Sequence, residues 1–251
     1  MFVDFGSGST TPTWRLVAPN GSIVASSSQL VDLGELLLDQ AGRYTLLVEG
    51  HLGTSTPTTS FLRIAAIADG DALLALDGKP INGAIGTPGE RDRYRFTLDS
   101  GRLLQFNSMA NVSNISWSLV GPKGRIDTQK MNADVVPAFY ASKGDYELVI
   151  DGEGDSTGNY AFQLLDLSRG GELTPDVETV AKLTGSSAVS YRIHAKAGDR
   201  WYFQTTGVTG IGWRLLDPNG VPVRWNGGQQ AFDLASTFSI EPEAFAHTGD
   251  Y

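Results

Sequence analysis

The feature that most constrains the fold of this chain is a cluster of residues that occurs three times. Each copy has a tryptophan, a leucine two residues later and a Pro-x-Gly turn, at Trp14 to Gly21, Trp117 to Gly124 and Trp213 to Gly220. The tryptophans are 103 and 96 residues apart. Repetition at this period predicts one structural unit that is built three times.

Two further clusters accompany each tryptophan in a constant order. A Gly-x-Tyr sequence follows it at 42–44, 144–146 and 249–251, and an alternating aromatic strand precedes two of the copies. We therefore predict a partial repeat over 1–67 (the C-terminal part of a unit), a complete unit over 68–167, and a partial repeat over 168–251 (the N-terminal part). We expect a piece of a longer array, although degenerate terminal caps would give the same pattern.

The hydrophobic pattern is that of β-strands. Tyr94, Phe96 and Leu98 alternate with polar residues, a period of two that is typical of an antiparallel strand with one buried face. The best helical candidate, residues 30–38, is weakened by Gly34. Short strands with glycine-rich turns predict an all-β fold of tandem antiparallel β-sandwich units, jelly-roll-like and about 100 residues each.

The Pro-x-Gly sequence predicts a tight hairpin turn after each tryptophan strand. Proline presets φ at the second turn position, and Lys123 at the third position favours a type I turn. The glycine that follows is then expected to take the left-handed conformation of a G1 bulge.

The repeated aromatic residues are predicted to form the structural core. A tryptophan can bury roughly 150–250 Å², so each indole is expected to be a core anchor and not a ligand platform. The Gly-x-Tyr hydroxyl is expected to tie the preceding loop, as a tyrosine corner does. The predicted core residues are Trp14, Trp117, Trp213, Tyr44, Tyr146, Tyr94 and Tyr191.

Composition and motifs exclude several functions. The net charge of −9 argues against a nucleic-acid partner, and the absence of cysteine excludes disulfides and thiolate sites. No apolar run reaches the roughly 20 residues that span a bilayer. The three histidines occupy non-equivalent repeat positions, and no hydrolase or metalloprotease motif is present, so we predict no enzyme.

The order of clusters in the middle unit resembles the bacterial pre-peptidase C-terminal domain family. The matching residues are Gly83-Ala84-Ile85, Pro88 to Phe96, Gly101 to Leu104, Trp117 to Gly124, Gly144-Asp145-Tyr146 and Tyr160-Ala161-Phe162. The third unit departs from the pattern, because Ser187 to Ser190 replaces the acidic lead-in to Tyr191. The resemblance implies a jelly-roll-like sandwich in a secreted bacterial protein, beside a peptidase or in a tandem array. Some members of that family bind calcium and others help to bind a substrate or matrix, so the resemblance also implies these functions.

Calcium is the ion that the sequence favours. Asp151, Glu153 and Asp155 lie on one glycine-rich loop, and carboxylate oxygens on a flexible loop suit Ca²⁺. A second acidic cluster contains Asp69, Asp71 and Asp77. Solvated acidic loops would have the same composition, so both readings stay open.

Ligand binding is the alternative to a structural role. Trp225 has no aromatic counterpart in the other units and lies beside Asn226, a composition that sugar sites use, although shielding of a sheet edge would also explain Trp225. We predict a non-enzymatic spacer, stalk, adhesin or fibre-forming region of a large exported bacterial protein, located outside the cell or on its surface. Its partners would be neighbouring repeats or copies of itself. The alternative is an accessory module of a secreted hydrolase that binds carbohydrate or a surface protein.

Overall fold

The computed structural model describes residues 2–5, 13–28, 36–50, 62–133, 138–205, 211–223, 232–234 and 238–251. Within them the protein is all-β, with mainly antiparallel sheets, no α-helix, and one 3₁₀ turn at Leu167–Arg169. The all-β prediction is confirmed. The helical candidate at 30–38 lies mostly outside the described residues, and its last three residues are not helical.

The first segment, residues 2–65, contains a two-stranded and a three-stranded sheet. Strand β2 lies between β3 and β4, and β1 pairs with β5. Trp14 and Leu16 are buried on the same face of β2 and pack against Leu46. The strands are β1 Phe2–Phe5, β2 Thr13–Val17, β3 Ile23–Ser27, β4 Thr45–Glu49 and β5 Leu62–Ala65.

The middle segment, residues 70–166, forms two sheets. Its strands are β6 Gly70–Leu73, β7 Ile81–Ile85, β8 Arg91–Leu98, β9 Arg102–Ser108, β10 Ile115–Gly121, β11 Gly124–Lys130, β12 Phe139–Ala141, β13 Gly144–Gly152 and β14 Gly158–Asp166. The order is β11-β10-β13-β8-β6 in one sheet and β12-β9-β14-β7 in the other. Only the β6–β8 pair in these sheets is parallel.

Aromatic rings join the two layers of the middle segment. Phe106 of one sheet stacks on Trp117 of the other, with ring centroids 4.1 Å apart, and on Phe162 beside it. All three side chains are at most 1% exposed. The apolar faces of both sheets therefore meet in one continuous core, which is the β-sandwich arrangement.

The third segment, residues 171–251, contains shorter strands around a smaller core. They are β15 Gly171–Glu172, β16 Tyr191–Arg192, β17 His194–Ala195, β18 Arg200–Thr205, β19 Ile211–Trp213, β20 Phe232–Leu234, β21 Phe238–Ala244 and β22 Gly249–Asp250. The pairs are β15–β16, β17–β22, β18–β21 and β19–β20. Ile193, Leu215, Phe245 and Tyr251 are buried together.

Cross-strand register at the tryptophan is the same in the first and middle segments. Trp14 of β2 lies opposite Val48 of β4, and Trp117 of β10 lies opposite Ile150 of β13. In both segments the ladder to the return strand is irregular directly after the leucine that follows the tryptophan by two residues.

An opening strand also occurs in both the middle and third segments. The Leu74 amide donates to the Arg95 carbonyl at 2.8 Å, and the Leu173 amide donates to the Arg192 carbonyl at the same distance. Strand β15 runs parallel to β16, as β6 runs parallel to β8. Sequence reasoning missed this strand, because in register the two segments share only the leucine, Leu74 and Leu173.

Candidate functional site

The repeated tryptophans lie inside the molecule. Trp14 and Trp117 are each 1% exposed, and Trp213 is half-buried with its ring 5.8 Å from that of Phe203. The indole nitrogen of Trp117 is buried and has no hydrogen-bond acceptor among the described residues. Such a ring makes apolar contacts only, so this tryptophan offers no surface to a ligand.

The turn after each tryptophan has the predicted geometry. Gly21, Gly124 and Gly220 have φ of +85°, +102° and +80°. The Gly21 amide donates to the Ala18 carbonyl at 2.9 Å, which closes the turn. Asp176 is the only non-glycine residue with positive φ in the described chain, so Lys123 is not left-handed. The prediction of a type I turn followed by a left-handed glycine is confirmed.

The glycine of each Gly-x-Tyr cluster packs on the proline of the turn. A Cβ added to Gly42 or Gly249 would lie 2.7 Å from the Cγ of its proline, and one added to Gly144 would lie closer still to Pro122. Their φ values of +140°, +154° and +143° also favour glycine. Sequence reasoning missed this contact, although a glycine stands two residues before the tyrosine in all three clusters and is the signal for it.

The tyrosine of each cluster fastens the loop before it. Its hydroxyl donates to the carbonyl four residues earlier, from Tyr44 to Gln40 at 3.0 Å and from Tyr146 to Ser142 at 2.7 Å. Tyr251 donates to His247 in the same way at 3.0 Å. The expected tyrosine-corner bond is confirmed in all three places. Tyr146 and Tyr251 are buried, whereas Tyr44 is half-buried.

Tyr94 belongs to a polar cluster between the layers of the middle segment. Its hydroxyl lies 2.7 Å from that of Tyr160, which donates to Asp92. Burial, together with the hydrogen bonds to Asp92 and Tyr94, raises the pKa of Tyr160 far above its ordinary value, so the hydroxyl stays neutral. Tyr191 is half-buried at the equivalent place of the third segment, where Val189 replaces Asp92.

The acidic lead-in to Tyr94 caps a turn. The Glu90 carboxylate accepts from the amides of Gly86 and Thr87, both at 2.8 Å. In the third segment the Ser187 hydroxyl accepts from the Thr184 amide at 2.8 Å. The serine that departs from the family pattern therefore makes the same kind of cap without a charge.

Two of the three carboxylates on the loop predicted to bind calcium are paired with basic side chains. Asp151 accepts from the Arg91 Nε at 3.0 Å, and Glu153 lies 3.0 Å from the Lys130 Nζ. Asp155 is exposed. Within the described ranges no three side chains from Asp, Glu, His or Cys are grouped as a metal site. Two of the three predicted ligands are thus paired with basic side chains, and calcium stays a prediction from the sequence and the family resemblance.

The carboxylates of the second acidic cluster are also paired with basic side chains. Asp69 pairs with Arg93, Asp71 with Arg95, and Asp77 with Lys79. Burial alone would raise the pKa of Asp69, but the hydrogen bonds from Arg93 and from the Arg91 amide outweigh it and leave that pKa below its ordinary value. Asp69 and Asp71 therefore join β8 to β6 and to the residue before it, whereas Asp77 pairs within its own loop.

The described histidines do not form a catalytic arrangement. His194 Nδ1 lies 2.8 Å from the Asp250 carboxylate, with both side chains more than half exposed on β17 and β22. His247 is exposed, and its backbone bonds to Tyr251. His51, Trp225 and Asn226 lie outside the described residues, so the predicted sugar site stays a prediction.

An open groove of about 420 Å³ lies where the middle and third segments meet. Tyr140, 72% exposed, lies beside Gly101 on one side, and Asn219 lies on the other. Arg102 also lines it and pairs with Asp166, whose carboxylate is 1% exposed. Sequence reasoning missed this groove, because residues far apart in the chain form it.

Comparison with known proteins gives few likenesses. No protein-family model and no curated protein matches the chain. A search of solved structures finds the pre-peptidase C-terminal domain of collagenase from Bacillus anthracis, at 16% identity and a TM-score of 0.32, covering 41% of this chain and 99% of that one. It also finds a periplasmic inhibitor of g-type lysozyme from Aeromonas hydrophila, at 12% identity and 0.26, covering 39% and 96%. No helix in the described residues is long and apolar enough to cross a membrane.

Proposed function

We propose that the chain is a run of β-sandwich repeats that serves as a stiff extracellular spacer in a large exported bacterial protein, without catalysing a reaction. Its partners are neighbouring repeats, and its work is to hold other domains at a fixed separation. The observation that carries this proposal is the contact between the middle and third segments, where a buried side chain links the two. A flexible chain of independent domains would have a solvated linker there.

Gln163 is the centre of that contact. It lies on β14 between the inward-facing Phe162 and Leu164, so its own side chain points to the outside of the sandwich, yet it is only 3% exposed. Its amide oxygen accepts from the Ala188 amide at 2.8 Å, and its nitrogen donates to the Gly78 carbonyl at 2.6 Å. A buried amide with these bonds fixes the two loops that it contacts, at Gly78 and at Ala188.

Two further contacts lie at this joint, by which we mean the region around Gln163 where the middle and third segments meet. The Asn107 side chain donates to the Ser186 carbonyl at 3.0 Å. Leu103 packs so closely on Gly220 that an added Cβ would lie 2.7 Å from its Cδ1. Three separate points of contact restrain rotation about the linker in a way that a single contact would not.

The proposal is tested by a distance measurement between spin labels at Lys123→Cys and Asn219→Cys, two exposed turn positions on either side of the joint. Since the chain has no cysteine of its own, labelling is specific. We expect one narrow distance distribution, which Gln163→Ala broadens and the control Gln129→Ala, remote from these contacts, leaves narrow. A broad distribution in the parent chain, or equal behaviour of the two variants, contradicts the stiff spacer.

The groove at the joint favours a second candidate, an accessory module that binds carbohydrate. An exposed tyrosine ring beside arginine and asparagine offers stacking and hydrogen bonds to a sugar. A glycan array comparing the parent chain with Tyr140→Ala and Trp225→Ala tests it. Binding that Tyr140→Ala removes supports the groove as the site, whereas binding lost only in Trp225→Ala places it at Trp225. No binding by the parent chain argues against this function.

A further inference from the structure

The hairpin turn of the first segment has an asparagine directly before its left-handed glycine. Asn20 and Gly21 lie between β2 and β3, and both are exposed, as is Ser22 after them. The Asn20 amide oxygen accepts from the Ser22 amide at 2.9 Å and from the Ser22 hydroxyl at 2.7 Å. These bonds fold the Asn20 side chain back over Gly21, as in an Asx-turn, and so hold its amide carbon near the Gly21 nitrogen.

A side-chain amide in this position reacts with the backbone nitrogen that follows it. The Gly21 nitrogen gives its proton to solvent and bonds to the Asn20 amide carbon. The bond from that carbon to Nδ2 breaks, and Nδ2 takes a proton from solvent and leaves as ammonia. Water then opens the five-membered imide at either carbonyl, which gives isoaspartate or aspartate. Glycine does not obstruct the attack, and even a Cβ placed on Gly21 would have nothing within 4 Å.

The two bonds from Ser22 also favour the reaction electrostatically. Negative charge develops on the Asn20 amide oxygen when its carbon becomes tetrahedral, and donors already aimed at that oxygen stabilise the charge. The bond that opposes the reaction is the one that the Gly21 amide donates to the Ala18 carbonyl at 2.9 Å. Because the turn is exposed, local opening breaks that bond at low cost.

The corresponding turn of the third segment has the same Asn-Gly sequence without these features. The Val221 amide donates to the Asp217 carboxylate at 2.8 Å, and valine has no hydroxyl to offer Asn219. Gly220 is buried and packs on Leu103 at the joint. This turn is therefore held closed, and its asparagine has no equivalent of the Ser22 hydroxyl.

The other two Asn-Gly pairs of the chain are Asn82-Gly83 and Asn226-Gly227. Asn82 and Gly83 lie within β7, where Gly83 is opposite Tyr160 of β14. A Cβ on Gly83 would lie 2.3 Å from the Tyr160 hydroxyl oxygen, so the backbone is closely packed there. Strand pairing holds this backbone extended and away from attack. The pair at 226 and 227 lies outside the described residues.

We propose that Asn20 is a modification site, at which the folded chain converts asparagine to isoaspartate with water as the co-reactant and the Ser22 hydroxyl as the accelerating donor. Isoaspartate adds a negative charge and one backbone carbon to the turn after Trp14. The middle segment is inert at this position, because Lys123 stands there. The reaction therefore changes the turn of one segment with time and leaves the other two turns as they are.

The test follows the purified chain at mildly alkaline pH by tryptic peptide mapping. Mass spectrometry detects the exchange of ammonia for water, and an isoaspartate-specific methyltransferase identifies the isomer. We expect Asn20 to convert at least about tenfold faster than Asn82 or Asn219, which corresponds to about 1.4 kcal/mol in the barrier. Trypsin places these three asparagines on separate peptides, which are 16–43, 64–91 and 215–224.

Ser22→Ala tests the donor, and Ser22→Thr is its control because it keeps a hydroxyl. We expect Ser22→Ala to slow conversion at Asn20 about fivefold, which is less than the roughly hundredfold effect of a buried oxyanion donor. Ser22→Thr should keep most of the parent rate, and neither substitution should change the rate at Asn219. In a synthetic peptide of residues 16–25, Ser22→Ala should have little effect, since no hairpin holds the hydroxyl against the amide.

Three results would overturn the proposal. The first is a rate at Asn20 no higher than those at Asn82 and Asn219 in the parent chain. The second is an equal rate at Asn20 in the parent chain and in Ser22→Ala, or an equal loss in Ser22→Ala and Ser22→Thr. The third is the same dependence on Ser22 in the peptide as in the folded chain, since the hairpin would then have no part in the reaction.

Discussion

The middle and first segments share a local frame, made of the tryptophan, the turn glycine and the corner tyrosine, but their described cores differ in size. Trp117 and Trp14 are equally buried, and the turn glycine and the corner tyrosine have the same geometry in both. Around Trp117 lies a core that draws residues from two sheets, whereas among the described residues only Leu16 is buried in one cluster with Trp14. The frame therefore has the same geometry in two segments whose described cores differ in size.

This difference separates two causes of structure. The turn and the tyrosine corner connect residues at most four positions apart, so they depend on local sequence. The glycine–proline contact joins residues 22 to 31 positions apart and depends on strand pairing as well. Burial of the strand after the tyrosine depends on a neighbouring strand, and Val48 stays exposed where that neighbour is not seen. Substitutions in the two segments separate these causes.

Removing the tryptophan is expected to have the largest effect, and an unequal one. Trp117→Ala should cost about 3–5 kcal/mol of local unfolding free energy, because a large cavity opens in a closely packed core. Trp14→Ala should cost less, about 2–3 kcal/mol, since a small cluster can collapse around the gap. Native-state hydrogen exchange of each segment measures both. Equal losses would show that the two cores are equivalent after all.

Adding a methyl group at the glycine of Gly-x-Tyr is expected to be next. Gly144→Ala should cost about 2–4 kcal/mol, because the new Cβ overlaps Pro122 and the backbone is left-handed. Gly124→Ala should cost only about 1–2 kcal/mol, since space is open there and only φ is unfavourable.

Adding Pro122→Ala to Gly144→Ala should recover part of that loss, because it removes the ring that the new methyl group meets. Urea denaturation followed by circular dichroism gives the three values. If Gly144→Ala costs no more than Gly124→Ala, the contact with the proline is unimportant.

Loss of the tyrosine hydroxyl is expected to have a smaller effect. Tyr44→Phe, Tyr146→Phe and Tyr251→Phe each remove a hydrogen bond to a carbonyl, worth about 0.5–1.5 kcal/mol. Tyr44→Phe and Tyr251→Phe also remove a hydrogen bond that the hydroxyl accepts from a backbone amide. Tyr140→Phe, at an exposed position, should change nothing. Thermal melts of the four variants measure the loss of stability in each. A loss at Tyr146 alone would mean that the corner matters only inside a complete sandwich.

Calcium is expected to have the smallest effect. Asp151 and Glu153 already face Arg91 and Lys130, so an ion would have to displace two cations. Millimolar calcium should leave the melting temperature unchanged, as magnesium does in a parallel control. A shift with calcium alone, abolished by Asp151→Asn with Asp155→Asn, would restore the metal site that the sequence favours.

Local features were the part of the fold that the sequence could predict. The turn at Pro122, the left-handed Gly124 and the hydroxyl bond of Tyr146 follow from the conformational preferences of single residues over short spacings. The alternation of Tyr94 and Phe96 was enough for an all-β fold, because period two has one structural meaning.

Long-range contacts were the part that it could not predict. Gln163 reads as an ordinary outward-facing residue of β14, and only the path of the chain at Ala188 makes it buried. Arg91 and Lys130, which neutralise the candidate calcium loop, come from other strands, so the loop alone looked like a cation site. Which charges meet depends on strand order, and that order is not encoded in any single motif.

The first and middle segments share one cross-strand register, which disulfide trapping can probe in a chain without cysteine. Arg15 lies opposite Leu47, and Ser118 lies opposite Val149. We predict that cysteine pairs at these two places oxidise to the same extent, and that pairs offset by one residue, at 15 and 48 or 118 and 150, do not. Trapping of the opposed pair in one segment and the offset pair in the other would contradict the shared register.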